Sequence, residues 1–266
     1  ALLKLLGALN ESSITPKGKE MLKLPTHPRI SNMIIQSIKS NKAPLAVDIA
    51  AIIEERDPLD SRVSSNLSDR IFALRSFRSR KYSSGDKQIL SRVDTLSAYW
   101  ARILSIKQEN QDFSSEEIGA VLASAYPDRI AKQSEEKDTR YKMSNGQTVT
   151  LYQNDELTHS SYIVLASADF STGDGRIFLA APVKIQAISH LFEEKIFFGW
   201  DKQKMMITSR IDQCIGKLVV LSKQNTIYDE EKAKQCLCET IRKEGLEFLP
   251  LPVDFEQLQT RIICLK

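Results

Sequence analysis

The chain has 266 residues, and its 37 lysines and arginines nearly balance 34 aspartates and glutamates, which leaves a net charge of +3 at pH 7. A hydrophobic content of 42% with 27% charged residues is typical of soluble globular proteins. The length is sufficient for two or three domains. No apolar run is long enough to cross a bilayer and no signal peptide opens the sequence, so we expect a cytoplasmic protein without a membrane partner.

Helical periodicity dominates the first half of the chain. Residues 1–24 contain a short apolar helical segment, a polar turn and a helix that starts near Pro16. In the next hundred residues, apolar side chains repeat at intervals of three and four, which predicts five more helices. They begin near Pro25, Pro44, Leu67, Ile89 and Ser114. Ser114 and Glu117 have capping-box spacing. We therefore expect residues 25–125 to form a helical bundle.

Positive charge is concentrated in this bundle. Between Asp69 and Arg102 there are eight basic residues against three acidic ones. A phosphate-binding surface requires such a cluster, although solvated helix faces often carry one too. The candidate nucleic-acid contacts within it are Arg75, Arg78, Arg80 and Lys81. His27 and Arg29, at the start of the first helix of the bundle, are further candidates, and His27 also suits a capping or packing role.

The hydrophobic period changes from helical to alternating between Tyr126 and Arg140. Four basic residues mark this joint: Arg129, Lys132, Arg140 and Lys142. Asn145-Gly146 then follows, which is a strong hairpin signal. One interpretation is a basic first strand on a β domain that binds nucleic acid. The other is an ordinary joint between domains with solvated charges, in which Asp128 could hold Arg129.

Beyond Arg140, seven segments have the residue pattern of strands. They lie at 141–143, 148–151, 162–170, 176–181, 195–200, 205–212 and 217–221. One helix is expected near Ile188, and two more are expected to begin near Asp229 and Phe255. Several strands interrupted by one helix suit a partly open, OB-like barrel, with a β-sandwich as the alternative. Aromatic side chains on a barrel can stack with bases, and the candidates are Tyr141, Tyr152, Phe170 and Phe178.

The sequence contains no recognisable catalytic or metal-binding constellation. A nucleotide hydrolase needs the phosphate loop Gly-x-x-x-x-Gly-Lys-Ser/Thr, and no two of the ten glycines have that spacing. The three histidines are scattered, and the cysteines lack the spacing of a zinc site: Cys214, Cys236, Cys238 and Cys264. We therefore expect no metal, no cofactor and free thiols in a reducing compartment.

Short motifs along the chain resemble the C-terminal half of bacterial DEAH-box ATP-dependent helicases of the HrpB type. The motifs at the joint are Tyr126-Pro-Asp-Arg-Ile-Ala131 and Tyr141-x-Met-Ser-Asn-Gly146. Others follow in the family's order: Leu6-Gly-Ala-Leu9, Ile14-Thr15 with Gly18, Leu24-Pro-Thr-His-Pro-Arg29, Asp48-Ile-Ala-Ala51, Glu55-Arg-Asp-Pro-Leu59 and Arg176-Ile-Phe-Leu-Ala-Ala-Pro182. Each motif alone is weak, but their order and spacing make the match fairly specific.

The resemblance implies an α+β multidomain fold with four parts. Residues 1–24 would be the end of a winged-helix domain, and 25–125 would be a ratchet-like helical bundle. Residues 126–225 would form a mostly β, OB-like barrel, and 226–266 would start a helicase-specific C-terminal region with helices. The chain opens at Ala1 inside a helical pattern, and its last predicted helix stops abruptly at Lys266. We therefore expect it to belong to a longer protein.

The resemblance also implies a function. The chain would be the accessory C-terminal region of an ATP-dependent RNA helicase, and it would guide single-stranded RNA or DNA beside motor domains that bind ATP and Mg²⁺. The family often has further arginines after the Arg-Ile-Ala segment. Here Glu135, Glu136 and Asp138 occupy the nearby spacer, which argues against strong binding by this chain alone. The alternative is a protein-interaction or regulatory module of the helicase that does not contact nucleic acid.

The missing phosphate loop predicts that this chain alone does not hydrolyse ATP. Phosphate release from ATP should stay at the rate of buffer, with or without RNA, in a preparation of the 266-residue chain. RNA-stimulated ATPase activity that follows the chain through successive purification columns would contradict this prediction.

Overall fold

Helices make up the first half of the chain and strands most of the second half, as the change of period predicts. The computed structural model describes residues 2–11, 13–81, 84–108, 111–171, 173–225, 229–246, 249 and 254–264. The chain divides into two compact units, Ala1–Phe192 with Ile215–Leu218 and Glu193–Cys214 with Val219–Lys266. This partition differs from the four domains expected from the sequence, whose boundaries stay a prediction.

Seven α-helices precede the first strand within the described residues. They are α1 (Leu2–Leu5), α2 (Pro16–Met21), α3 (Pro28–Lys39), α4 (Ala43–Glu54), α5 (Leu67–Arg78), α6 (Lys87–Ile103) and α7 (Ser115–Ala125). Asp86 caps α6 by accepting a hydrogen bond from the Gln88 N–H at 2.8 Å, and Ser114 and Glu117 complete the predicted capping box of α7. Such caps fix where helices begin, because the first-turn N–H groups have no partner within the helix.

These helices enclose an apolar core. α3 packs against α7 and α4, and α4 packs against α6. Side chains from four of the helices are completely buried: Ile34, Leu45, Ile49, Leu74 and Leu122. The apolar stripes expected from the sequence face this core, so the predicted helices are confirmed. The identity of the bundle as a ratchet stays a prediction.

A buried ion pair joins three of the helices. Asp48 on α4 is 1% exposed, and its carboxylate accepts hydrogen bonds from Nη1 and Nη2 of Arg78 at 3.0 and 2.7 Å and from Ser97 Oγ at 2.6 Å. Arg78 Nε also donates to Asp94 Oδ1 at 2.5 Å. Burial tends to lower the pKa of the Arg78 guanidinium, but the hydrogen bonds and charges of Asp48 and Asp94 outweigh burial and raise the pKa. Arg78 therefore stays charged inside the protein and holds α4, α5 and α6 together.

Five strands after the helices close into a barrel. They are β1 (Ile130–Gln133), β2 (Arg140–Met143), β3 (Thr148–Thr150), β4 (Tyr162–Asp169) and β5 (Gly175–Pro182). The order around the barrel is β1-β2-β3-β5-β4, with β3 and β5 parallel and the other neighbouring strands antiparallel. The predicted barrel is confirmed over these strands, but it is closed rather than partly open. Its first strand lies outside the seven predicted strand segments, in the joint where a basic first strand is one of the two interpretations.

Alternate residues of the strands fill the barrel interior. The buried set includes Tyr141, Met143, Val149, Ile163 and Ile177. The Tyr141 hydroxyl oxygen lies 2.7 and 2.8 Å from the carbonyl oxygens of Leu157 and Ser160 and donates a hydrogen bond there. Burial raises the pKa of Tyr141. Tyr141 is therefore a core residue, and the expectation that its ring could stack on bases is wrong.

The β2–β3 turn lies at the predicted Asn145-Gly146 pair. Met143 and Gln147 close the turn, with the Met143 N–H donating to the Gln147 carbonyl oxygen at 2.8 Å. Of the Asn-Gly pair, only Gly146 has a positive φ, at +94°. The hairpin is confirmed, but a three-residue loop that ends in a left-handed glycine replaces the expected two-residue turn.

The helices and the barrel pack closely within the first unit. α7 lies against β5 and β4. A methyl group placed on Gly119 of α7 would come within 2.0 Å of the Pro182 carbonyl oxygen, so only glycine allows this approach. Just before α5, the Ser65 carbonyl oxygen accepts a hydrogen bond from the Ala180 N–H on β5 at 2.8 Å. The joint between helices and strands is thus part of one packed unit.

The second unit is built on a three-stranded sheet. Its strands, in the order β6-β7-β8, are β6 (Glu193–Asp201), β7 (Met206–Ile215) and β8 (Leu218–Gln224). Two helices follow, α8 (Glu230–Glu244) and α9 (Phe255–Cys264). The strands predicted in this region exist, but they form a sheet of their own instead of extending the barrel. The helix expected near Ile188 is a 3-10 helix, Ile185–Leu191.

Within the part of the chain that the structure describes, no helix is long and apolar enough to span a membrane. The same residues contain no group of three or more His, Cys, Asp or Glu side chains that could hold a metal ion. All four cysteines are free.

The contact between α7 and β5 predicts that Gly119→Ala destabilises the protein. The added methyl group would overlap a backbone oxygen, and overpacking of this kind costs roughly 1–3 kcal/mol. The free energy of unfolding, measured by urea denaturation, should fall by about that amount. Gly199→Ala is the control, because a methyl group there meets no atom within 4 Å. Equal midpoints for the Gly119→Ala variant and the unchanged chain would show that the two elements do not pack this closely.

The buried ion pair predicts that Arg78→Ala destabilises the fold much more than Lys81→Ala. Removing Arg78 leaves the Asp48 carboxylate buried without its cation, and breaking such a pair costs roughly 3–5 kcal/mol. Lys81 is exposed, so its loss should change the free energy of unfolding by less than about 0.5 kcal/mol. Guanidinium denaturation of both variants provides the measurement. A small effect of Arg78→Ala would mean that Arg78 is a surface residue after all.

Candidate nucleic-acid interface

Two lysines face each other on the outer surface of the barrel. The register of β1 and β2 makes Lys132 and Lys142 direct cross-strand partners, and both side chains are exposed. On the next strand β4, Tyr162 is the partner of Lys132, and the Lys132 Nζ lies 5.9 Å from the centre of the Tyr162 ring. On β3, Thr148 is the partner of Lys142. A row of four residues therefore crosses four strands with two cations at its centre.

A second row runs beside the first. Arg140 lies two residues before Lys142 and so points to the same side of the sheet. Its cross-strand partner is Thr150 on β3, whose partner on β5 is Arg176. We call the outward surface formed by the two rows the basic barrel face, and its residues are Lys132, Arg140, Lys142, Thr148, Thr150, Tyr162 and Arg176.

Acidic residues neutralise only part of this face. Arg140 Nε lies 3.4 Å from Asp138 Oδ2. The backbone N–H of Arg140 donates to Asp138 and lowers the pKa of that carboxyl, and the Arg140 charge acts in the same direction. Asp138 therefore stays ionised and offsets the charge of Arg140. Among the described residues, no acidic side chain forms a salt bridge with Lys132, Lys142 or Arg176. The face keeps these three positive charges available for an anion.

Arg129, one of the four basic residues predicted at the joint, has a different environment. It is half-buried, and its Nη1 donates to the Ala166 carbonyl oxygen on β4 at 3.0 Å. Its guanidinium carbon lies 5.0 Å from the centre of the Tyr126 ring. Asp128, which holds Arg129 in one of the two interpretations of the sequence, pairs with Arg29 instead. These contacts give Arg129 a positioning role at the joint, and a contact between Arg129 and nucleic acid stays a prediction.

Arg29 is also held by the protein. Its Nη1 and Nη2 donate to the two carboxylate oxygens of Asp128 at 2.6 and 2.8 Å, and Nη1 donates to the Ala125 carbonyl oxygen at 3.0 Å. Burial alone would raise the pKa of the Asp128 carboxyl, but the hydrogen bonds and charge of Arg29 outweigh burial and lower it. His27 caps α3, since its Nδ1 accepts from the Arg29 N–H at 3.3 Å. Neither side chain belongs to the basic barrel face.

The basic cluster of the bundle is divided in the structure. Arg78 and Arg75 point into the helical core, where Arg75 Nη2 lies 3.9 Å from the buried Asp48. Burial lowers the pKa of Arg75 more than the charge of Asp48 raises it. Arg80 and Lys81 are exposed beyond the end of α5. Contact of these four residues with phosphate stays a prediction. The burial of Arg75 and Arg78 argues against such a contact for these two arginines.

The structure therefore brings together three of the ten predicted contacts: Lys132, Arg140 and Lys142. It adds Tyr162 and Arg176 to them, which the sequence analysis does not include among the contacts. Tyr162 and Arg176 are the first residues of the strands predicted at 162–170 and 176–181. Their place beside the lysines depends on strand register, which the sequence alone does not define.

Of the other aromatic candidates, Tyr152 is half-buried beside Arg176, whose guanidinium carbon lies 4.9 Å from the centre of the Tyr152 ring. Phe178 is half-buried and lines a cavity between Ile52 and Leu179 in the first unit. Phe170 is 38% exposed, and its ring would meet a methyl group added to Gly175 at 2.6 Å. Tyr152 is thus the aromatic candidate that lies next to the basic barrel face.

No protein-family model matches the chain. It is 28% identical over 269 aligned residues to the ATP-dependent RNA helicase HrpB of Escherichia coli strain K12, an alignment that covers 99% of this chain and 31% of the helicase. Two solved structures are similar, a crystal structure of the E. coli DExH-box NTPase HrpB at 26% identity and one of the Escherichia coli DEAH/RHA helicase HrpB at 24%. Each has a TM-score of 0.70, and the match covers 99% of this chain and 31% of the chain in the crystal structure.

The chain thus spans about a third of the length of the relatives it matches. Both the sequence and the mixed α/β fold with its five-stranded barrel agree with those relatives. Over nearly its whole length the chain is similar to a part of HrpB, and the resemblance predicted from its motifs is confirmed.

Proposed function

We propose that this chain is the accessory C-terminal region of an ATP-dependent RNA helicase of the HrpB type. In this proposal the basic barrel face guides a single strand of nucleic acid beside the motor domains of the longer protein. ATP and Mg²⁺ would be bound by those motor domains, because this chain lacks the phosphate loop. The cytoplasm is the corresponding compartment.

The observation that carries the proposal is the opposition of Lys132 and Lys142 across β1 and β2. Like charges directly opposite in a sheet repel and destabilise it. A strand that passes over the face removes this repulsion, because the two lysines neutralise two of its phosphates. Arg176, which forms no salt bridge with a described residue, adds a positive charge in the second row, and Tyr162 provides an aromatic ring beside the lysines.

The domain assignment belongs to the same proposal. A closed barrel of five strands supports an OB-fold, an architecture that binds oligonucleotides on its strands and loops. The helices α3 to α7, packed against that barrel, would be the ratchet-like bundle. Residues 1–24 would end a winged-helix domain, and 226–266 would begin the helicase-specific C-terminal region.

The basic barrel face contains no group that distinguishes one base sequence from another. Lysine and arginine bound to phosphates provide affinity that depends on salt and carries little sequence information. We therefore expect this face to bind single strands of different sequence with similar affinity, as a guide for a moving strand requires.

The proposal predicts that Lys132→Ala/Lys142→Ala weakens single-strand binding and reduces its dependence on salt. Each phosphate contact contributes about 0.7 to the slope of log affinity against log salt concentration on a single strand. Loss of both lysines should therefore reduce the slope by about 1.4, and strands of different sequence should be affected alike. Fluorescence anisotropy with labelled oligonucleotides over a salt series provides the measurement.

Lys19→Ala/Lys23→Ala is the matched control, because it removes two exposed lysines outside the barrel and keeps the net charge equal to that of the test variant. Its slope should equal that of the unchanged chain. If the two double variants lower the slope equally, binding depends on net charge and not on this face. Binding to a protein partner that does not respond to salt, together with an unchanged slope, would instead favour the protein-interaction alternative.

A further inference from the structure

A cavity of about 470 Å³ opens next to the basic barrel face. It is lined by Arg62, Val63, Tyr152, Gln153, Asn154 and Arg176. Arg176 belongs to both the cavity and the second row of the face, since Thr150 is its cross-strand partner. The volume lies in the range of sites that enclose a small molecule or one unit of a polymer. The two features are therefore continuous through Arg176.

Tyr152 and Arg176 form a stacked pair in this cavity. The guanidinium carbon of Arg176 lies 4.9 Å from the centre of the Tyr152 ring. Arg176 Nη1 also donates to the Leu151 carbonyl oxygen at 3.4 Å, which helps to orient the guanidinium. Unpaired bases stack on aromatic rings and on the planes of arginine side chains. The pair thus provides a flat surface suited to a base.

Two amide side chains line the cavity. Gln153 and Asn154 are exposed, and neither side chain has a hydrogen bond to any described residue. Each amide has a carbonyl acceptor and an NH₂ donor, the groups that pair with the edge of a base. Val63, which is 80% exposed, adds an apolar surface on the same cavity. Stacking and edge recognition are therefore possible at one place.

The charge of the cavity fits a single phosphate. Arg62 is bound to Asp60, with Nε and Nη2 donating to the carboxylate at 3.1 and 2.8 Å, so its charge is largely offset. The hydrogen bonds from Arg62 lower the pKa of Asp60 to about 2, and the pair stays ionised. Asp169 is the cross-strand partner of Arg176, but its carboxylate accepts from the N–H and the hydroxyl of Ser171 at 2.9 Å each. Arg176 therefore remains available to a phosphate.

We propose that this cavity is a subsite for one unpaired nucleotide of the strand that the basic barrel face guides. The base stacks on the Tyr152–Arg176 pair, its edge faces Gln153 and Asn154, and its phosphate lies near Arg176. This inference rests on the proposed function and adds base recognition to the backbone contacts of the barrel face. A base paired within a duplex cannot present its face to this cavity, so the subsite selects single strands.

The test compares a labelled single strand with an abasic strand of the same length, at one salt concentration, by anisotropy. Tyr152→Ala should weaken binding of the strand with bases by about tenfold, the scale of one lost stacking contact. Binding of the abasic strand should not change, because the phosphates are the same. Tyr152→Phe keeps the ring and should bind as the unchanged chain does. The salt slope of Tyr152→Ala should also stay unchanged, because no charge is removed.

Tyr99→Ala is the matched control, since Tyr99 is a tyrosine on α6 with 41% exposure that does not line the cavity. It should affect neither strand. Equal affinity of Tyr152→Ala and the unchanged chain for the strand with bases would overturn the inference. An equal loss on both strands would also overturn it, because the ring would then act through the fold or the phosphates.

The same measurements separate this inference from the proposed function. If Lys132→Ala/Lys142→Ala reduces the salt slope while Tyr152→Ala has no effect that depends on bases, the subsite is wrong and the proposed function stands. If neither strand binds the unchanged chain at low salt, both are wrong for this chain.

Discussion

The bidentate salt bridge between Arg29 and Asp128 fixes the joint that connects the helices to the barrel. Arg29 lies in the first turn of α3, and Asp128 lies in the short turn that connects α7 to β1. The guanidinium carbons of Arg29 and Arg129 each lie 5.0 Å from the centre of the Tyr126 ring. Arg129 in turn reaches the Ala166 carbonyl oxygen on β4. One cluster of charged and aromatic side chains thus connects α3, the joint and the barrel wall.

The basic residues of the chain have two kinds of environment, paired within the fold or exposed on its surface. Arg29 and Arg78 bind carboxylates, and Arg129 binds a carbonyl oxygen. Such groups are costly to bury in a protein interior without a partner. The strands β1 and β2 carry their lysines on the outer side, where no such acid is present. Part of the exposed positive charge of the chain therefore lies on the outer surface of the barrel.

The helices could be predicted from the sequence because their signals are local. The Ser114 and Glu117 capping box and the apolar stripes require only neighbouring residues. The burial of Arg78 also had a signal, because Ile71, Leu74 and Arg78 share one face of α5, and Asp48 lies among apolar residues on α4. Each charge alone is unusual on an apolar face, and only the packing of the two helices shows that they neutralise each other.

The barrel and its face could be predicted only in part. β1 has two buried residues followed by one exposed and one half-buried residue. This pattern lacks the alternation that predicts a strand. Strand signals in 193–224 were correct, but a period of two does not tell which sheet a strand joins. Lys132 and Lys142 are ten residues apart in sequence, and only the register between β1 and β2 makes them neighbours.

Their opposition gives dissolved salt two contrary effects on this protein. Ions screen the repulsion between Lys132 and Lys142, and this stabilises the barrel without bound nucleic acid by roughly 0.2–1 kcal/mol. The same ions compete with a strand for the two lysines. The free fold therefore benefits from the ionic strength that weakens its complex, and thermodynamic linkage requires that a bound polyanion stabilise the barrel most in dilute buffer.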